Sequence, residues 1–522
     1  MHFLILWRMA VTEDRKYSRK FVHELLEKVK GRTLGEVDAE GSRQFDRTER
    51  SSKITGIAGD VIEQSVFGYE RDSRQECDIE IDGELTELKT TGVRVPKVEF
   101  DKVKNLPWSK YSHMFTAKEG ISITGVTFHP TYQTDFFTSH FWEKSERLLI
   151  VFYEYKSYGV VSASGYKDFP IVGYCYNKFT DNEIAQLRSD WEIVRDHIKS
   201  VYDVYSDSVQ RDEHLVGFTH ILRPQLMLIE LVPGFKKRSS GSYQRPRYRL
   251  KRTLVDVIVR GHFNKTRSEI NLTESFSSFA ELDKKCHQLS QTYGGKTLAE
   301  LKELLGIDLD ISTKDFASKC ILKMFGAGCK RLNQILDFQK AGIIAKTITI
   351  TPNWNRTEDM KLSSVDFDEW LDRDVEFEES DVYTYFNEHS FLFPIFCEYD
   401  STNPSKTVFE GFKRFAFDDE FIENDVKKMW EDSRNLVYTD TLKWEYIISE
   451  KTGEKIINKS GGYKGAPNLP KSSEYTVFFR GGAADSSEKS KTEKVNGIKM
   501  LPQFFWLKGS YITHKLKSLP YL

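Results

Sequence analysis

Asp78, Glu87 and Lys89 are brought together by a turn that can be read directly from the chain. Asp82-Gly83 stands between two alternating runs in CDIEIDGELTELK (77–89), and Asp-Gly flanked in this way is a strong two-residue hairpin signal. With those two residues as the loop, Ile81 faces Glu84 and Asp78 faces Glu87. Cross-strand partners share a face, with Cβ atoms about 4.5–5.5 Å apart. Residues two apart on a strand share it too, so Lys89 joins the pair. Two carboxylates this close repel unless a cation lies between them, and hard cations such as Mg²⁺ prefer carboxylate oxygen. A lysine beside them can hold or deprotonate an attacking water. This trio suits metal-dependent hydrolysis of a phosphodiester. The bland alternative is a charged, solvated hairpin face, because Glu76, Glu80, Asp82 and Glu84 crowd the same stretch and short acid-lysine patterns arise by chance.

The elements that must position the trio read as a mixed α/β order. A helix over 17–30 places Phe21, Leu25 and Val29 on one stripe and stops at Gly31. A second helix-like segment, GIAGDVIEQSVFG (56–68), puts Ile62 and Val66 on one face with Glu63 at its edge, where an acid could orient water or share a metal. Strands are expected over 122–128 and 148–155, and a further helix over 181–200.

These residues resemble the MutH-like branch of the PD-(D/E)xK nucleases. That family carries a glycine-containing helix with a Glu, then an Asp, then E-L-K-T; here they stand as Glu63, Asp78 and Glu87-Leu88-Lys89-Thr90. KGRTLGEV (30–37) looks like the family's opening turn and helix, and ITGVTF (123–128) and RLLIVFYEY (147–155) look like its central strands. HILRPQ (220–225) resembles its base-reading loop and YRLKRT (248–253) its closing strand. Lys144 matches a second family lysine by spacing alone. Asp78 and Glu87 are nine apart, a wider gap than the family usually has, which the tight turn absorbs. The resemblance implies a restriction-endonuclease-like fold, Mg²⁺ held by Asp78 and Glu87, and catalysis by Glu63, Asp78, Glu87, Lys89 and Lys144. It further implies base contacts from Arg223 and Gln225.

Landmarks of the first half recur in the second, in order. KGRTLGEV is echoed by GGKTLAEL (294–301), LKTT at Leu88 by AKTI at Ala345, FYEY at Phe152 by FCEY at Phe396, and WEIVR at Trp191 by WEDSR at Trp430. Lys89 and Lys346, Arg223 and Arg480, and Leu250 and Leu507 share an offset of 257 residues. The pattern reads as two tandem copies of one domain, not a short-period solenoid. The expected division is a catalytic nuclease domain over 1–262, a linker over 263–292, and a second copy over 293–522. Counting from Lys346, the position of Glu87 is Ile344, and Ile321 or a neighbour stands where Glu63 stood. Asp337 and Lys346 remain. The second copy is therefore read as catalytically degenerate and DNA-binding or regulatory, with Arg480 and Lys508 as its phosphate contacts; a purely supporting remnant is the alternative.

A chain of 522 residues suits two to four domains. Its net charge of −2 does not point to nucleic acid as a whole, but Lys236, Lys237, Arg238, Arg249 and Lys251 crowd one segment with Tyr248 among them, as in a surface that tracks phosphates. Six cysteines without C-x-x-C spacing give neither a zinc site nor a disulfide framework, and twelve histidines show no ligand spacing. The apolar run 2–7 is too short for a signal or a span, which leads us to expect a cytoplasmic protein with no membrane partner. No P-loop is present, so no nucleoside triphosphate is expected.

The resemblance, carried by both halves, implies a tandem-domain (Sau-type) type II restriction endonuclease that cuts double-stranded DNA, at 5′-GATC, and self-associates on it. The competing expectations are a strand-nicking endonuclease of the mismatch-repair kind and a catalytically silent DNA-binding protein.

Overall fold

The computed structural model describes residues 15–49, 56–69, 76–157, 159, 161–215, 217–232, 245–264, 275–355, 358–449, 451–457, 463–485 and 487–522. The expected hairpin forms with the expected register. Ile81 pairs with Glu84, Glu80 with Leu85 and Ile79 with Thr86. Asp82 and Gly83 have φ of 51° and 82°, the left-handed pair that a tight turn between twisted strands requires.

Strands of the first half are β1 (Lys16–Tyr17), β2 (Ile79–Ile81), β3 (Glu84–Arg94), β4 (Thr116–Ala117), β5 (Ile121–Gly125), β6 (Leu148–Glu154), β7 (Ile171–Asn177), β8 (Ile229–Val232) and β9 (Arg247–Leu250). The main sheet orders β1-β2-β3-β6-β7 with β4 on β3, and β5-β9-β8 form a separate antiparallel sheet. β3 and β6 run parallel, and β6 is buried along its whole length. Leu148, Ile150 and Phe152 enter one apolar cluster while Leu149, Val151 and Tyr153 enter another on the opposite face. A continuous apolar run is what a central strand covered on both sides demands. Helices Arg19–Val29 and Ile57–Val61 cover the second of these faces; helix His140–Ser145 lies against the first through Phe141 and Trp142.

The second half adds β10 (Ile343–Ala345), β11 (Ile348–Ile350), β12 (Met360–Ser364), β13 (Ser390–Cys397), β14 (Val408–Phe415), β15 (Trp444–Tyr446), β16 (Gly465–Pro467), β17 (Val477–Gly481), β18 (Glu493–Val495), β19 (Ile498–Met500) and β20 (Gln503–Leu507). β10 and β11 both run parallel to β13, which pairs antiparallel with β14. β12-β20-β17 form an antiparallel sheet. These pairings repeat those of β3, β6 and β7 and of β5-β9-β8. The register is reproduced as well. Phe152 pairs with Gly173 immediately before a bulge, and Ile395 pairs with Gly411 immediately before another. Matching the bulges sets Phe391 on Leu148. Glu87 pairs with Leu148 and Ile344 with Phe391, so Ile344 occupies the Glu87 position. The FYEY and FCEY landmarks are then one residue out of step, Phe396 matching Tyr153.

The segment 263–292 is not a plain linker. Among its described residues is most of helix Phe279–Tyr293, which buries Phe279, Leu282, Cys286 and Leu289 and carries Asp283 in a two-bond pair with Arg414, 2.7 Å each. Lys284, Lys285, His287 and Gln288 on its outer face disguise this stripe in the sequence. One apolar cluster runs from Val93 through this helix to Phe412, so the two halves share a core.

Candidate active site

Glu87 and Lys89 lie on the β3 face opposite Leu88, which points into the helix-covered cluster. On their side stands helix His140–Ser145, and it delivers Lys144. The Lys144 ammonium donates to both oxygens of Glu87, at 3.1 and 2.9 Å, and Lys89 donates to Glu87 Oε1 at 2.7 Å. Glu87 is only 1% exposed, and a carboxylate taken from water needs such hydrogen-bonded cations to offset its desolvation. Asp78, just ahead of β2, accepts from the Leu88 amide at 2.9 Å. Burial first and Glu87 second raise the Asp78 pKa, against Lys89 and Lys144. Burial lowers the Lys144 pKa, but Glu87 and then Asp78 outweigh it and raise it above the ordinary lysine value. Lys144, placed by spacing alone in the sequence, thus sits in the same constellation as Asp78, Glu87 and Lys89.

Glu63 arrives differently. It lies in a π-helical turn, Ile62–Val66, that continues helix Ile57–Val61. A Cβ on Gly59 would meet Thr90 Oγ1 at 3.5 Å and Glu63 Oε1 at 3.9 Å, so Glu63 approaches β3 from the face opposite Glu87. Such π turns cluster at functional sites. Tyr69, absent from the sequence reading, joins the two sides. Its hydroxyl is buried and has no hydrogen-bond partner among the described residues, and after burial the charges of Asp78 and Glu63 are the main causes raising its pKa. The aromatic after the Phe67-Gly68 helix stop was the available signal. Cys77 offers no nucleophile: burial, then Glu87, push its thiol up to about 12.

Two carboxylates supply hard oxygen donors, which fits a hard divalent cation at Asp78 and Glu87. Among the described residues no group of three or more His, Cys, Asp or Glu side chains gathers around one point. A cation here would keep waters or take substrate phosphate oxygens for its remaining positions, as Mg²⁺ commonly does.

Several residues expected to touch DNA are engaged elsewhere. Arg223 donates to Asn387 O (3.0 Å), Phe417 O (2.5 Å) and Asp419 Oδ1 (2.7 Å), all in the second half; its side chain is 12% exposed. Tyr248 is buried 4.9 Å from the Phe141 ring. Lys251 is buried and donates to Leu226 O at 2.5 Å, and Arg249 pairs with Glu230 at 2.5 Å. The alternation of β9 that puts Tyr248 inward and the helix Arg252–Phe263 that begins after Lys251 explain these placements. Gln225 is exposed and donates to Ile221 O at 3.3 Å. Lys236, Lys237 and Arg238 lie outside the described residues. Arg480 is exposed, paired with Asp359 at 2.6 Å and stacked over Trp506; Lys508 is half-buried ahead of helix Gly509–Ser518. Asp337 lies on helix Leu336–Ala341, where it accepts from Asn182 at 3.4 Å across the halves, away from Lys346.

No helix among the described residues is long and apolar enough to cross a membrane. Residues 67–190 match the family model described as "DNA mismatch repair enzyme MutH", a span that holds Asp78, Glu87, Lys89 and Lys144. Over 548 aligned residues the chain is 23% identical to a Staphylococcus aureus protein named "Type II restriction enzyme Sau3AI", with 96% of this chain and 99% of that one covered. The chain is thus similar to MutH over the segment that carries the site, and to a type II restriction enzyme over nearly its whole length.

Proposed function

We infer that this protein is a type II restriction endonuclease that hydrolyses double-stranded DNA at a short site, with 5′-GATC as the target and Mg²⁺ as the cofactor. The observation that carries the reading is the single cluster of Asp78, Glu87, Lys89 and Lys144 on one face of β3, within the span that matches MutH. Asp78 and Glu87 would hold the metal, which when bound supplies charge neutralisation and a more acidic water. Lys89, hydrogen-bonded to Glu87, polarises the attacking water. Lys144, hydrogen-bonded to both oxygens of Glu87, adds positive charge where the phosphorane-like transition state is negative. Glu63 assists from the other face.

The second half is proposed as a degenerate copy of the first that binds DNA and couples two sites. Its support is the repeated pairing pattern and the loss of both the Glu87 carboxylate and the Lys144 ammonium. Plasmids with two sites should then be cut faster than plasmids with one, by about 5–150-fold if coupling is of ordinary size. The deciding experiment is digestion of plasmid with Mg²⁺ followed by sequencing of the ends. Ends confined to GATC, in both strands, support the reading; nicks in one strand only, or no cleavage, overturn it.

A further inference from the structure

Two hairpins of the second half stand together without a role in the scheme above. The first is β15 paired with β16, extended by the bridges Ile448–Lys455 and Ile457–Tyr463. Its surface is unusual for a soluble protein: Tyr446, Ile447, Ile448, Ile457 and Tyr463 are 43%, 51%, 50%, 61% and 55% exposed. Contiguous exposed apolar side chains on a strand pair mark an interaction surface. The second is β18 paired with β19, turned by Asn496-Gly497, both with positive φ. The hairpins are joined: the Lys491 ammonium sits 4.5 Å over the Trp444 ring.

Charge chooses the partner. Lys451, Lys455, Lys464, Lys494 and Lys499 are all exposed on these two hairpins. Lys455 lies 3.9 Å over the Tyr446 ring and 5.4 Å over Tyr463, which holds a cation directly beside the apolar patch. Two acids, Glu454 and Glu493, share the described residues of the hairpins with these five lysines, and Glu445 and Glu488 are paired with other lysines, Lys471 at 2.6 Å and Lys491 at 2.5 Å. A two-stranded ribbon of ammonium groups bordering isoleucine and tyrosine matches a duplex groove, where phosphates line the rims and apolar side chains press on sugars and base edges.

We propose that the paired hairpins, over their described residues 444–449, 451–457, 463–467 and 493–500, form a DNA-binding arm, which grips duplex DNA through its phosphates with Ile447, Ile448 and Ile457 against the groove. This deepens the reading of the second half as a DNA-binding copy and rests on it.

The test uses the full chain in Ca²⁺ with a labelled duplex, following anisotropy across salt concentration. The triple variant Lys455→Glu, Lys464→Glu, Lys494→Glu is compared with a charge-matched control, Lys20→Glu, Lys314→Glu, Lys330→Glu, and thermal melting checks that both are folded. We expect the arm variant to bind at least about tenfold more weakly and its salt slope to fall by about 0.9 for each phosphate contact removed, with the control near wild type. Equal affinity and slope in the arm variant would overturn the arm while leaving wild-type cleavage, and hence the nuclease reading, standing. A second variant, Ile447→Ser with Ile448→Ser, guards against a purely electrostatic effect. If it converts an associated protein to monomer with DNA affinity unchanged, the face pairs proteins and the proposal fails.

Discussion

The two parallel strand pairs at the heart of the halves share a register and differ in chemistry. In the first, Glu87 is buried between Lys89 and Lys144. In the second, the matched position is Ile344, and Lys346, matched to Lys89, is half-buried and donates to the Lys361 carbonyl. The residue at the Lys144 offset is Asn387, whose carbonyl accepts from Arg223. The helix bearing Glu63 passes into a π turn, whereas helix Phe316–Met324 is α-helical throughout and buries Ile321. Yet the scaffold persists around both, down to the reciprocal Thr-Glu caps at Thr33 with Glu36 and Thr297 with Glu300. Apolar burial holds the scaffold in both halves. A carboxylate and two ammonium groups in a dry site cost desolvation energy, and the second half carries Ile344 and Asn387 at the positions of Glu87 and Lys144.

The sharpest way to break this comparison is to exchange the chemistry. Glu87→Gln or Asp78→Ala should reduce cleavage in Mg²⁺ to background, and Lys89→Ala should lower the rate by at least about 10²-fold. Ile344→Glu added to the Glu87→Gln protein should restore nothing, because the second half lacks the partner lysine. Any site-specific cutting by the double variant would mean that the second half retains a working centre.

Stability separates the two lysines next. Lys144→Met strips Glu87 of two hydrogen bonds in a buried pair and should lower unfolding free energy by about 3–5 kcal/mol at neutral pH. Lys346→Met, at the half-buried counterpart of Lys89, removes a hydrogen bond to a carbonyl and should cost less, about 0.5–1.5 kcal/mol. Urea melts of both variants check this; equal losses would mean that the buried cluster is not a source of strain that Lys144 relieves.

Arg223 tests how the halves are joined. Its guanidinium satisfies two carbonyls and Asp419 across the junction, so Arg223→Ala should lower stability by about 1.5–3 kcal/mol, the range for a charged hydrogen bond, with the preference among single-base variants of the site unchanged. Relaxed preference at unchanged stability would return Arg223 to the base-reading role that its motif suggests.

What the chain disclosed in advance divides along physical lines. The Asp82-Gly83 turn fixes a hairpin locally, so the Asp78–Glu87–Lys89 face followed from neighbours alone, and the strand Leu148–Glu154 announced itself as an unbroken apolar run. The fates of Arg223, Tyr248 and Lys251 did not follow, because residue type shows charge or aromaticity but not the carbonyls that another segment of the chain will offer. Lys251 finds Leu226 O, and Arg223 finds two carbonyls more than 160 residues away. The helix Phe279–Tyr293 was hidden by the polar residues of its outer face, and Tyr69 acquires meaning only when folding sets it beside Asp78 and Glu63.

The smallest expected effect lies just ahead of β13. By the shared register His389 stands where the first half has Glu146, a half-buried partner of Arg147 at 2.8 Å. His389 is half-buried, donates through Nδ1 to Tyr385 O at 2.8 Å, and adjoins Glu388, which pairs with Arg252 at 3.2 Å. Burial first, then the Arg252 charge, depress its pKa from 6.5 to about 4. Between those values the unfolded chain takes up a proton that the folded chain refuses. The stability His389 contributes is therefore intact above pH 6.5 and is lost as pH falls towards 4. The slope has an upper limit of about 1.4 kcal/mol per pH unit, reduced here by partial solvent access. In His389→Gln the site cannot titrate, so the difference in Tm between wild type and variant should move in the variant's favour as pH is lowered from about 7 to 4.5. A constant offset between wild type and His389→Gln across that range would mean that the imidazole accepts its proton as freely in the folded chain as in the unfolded one.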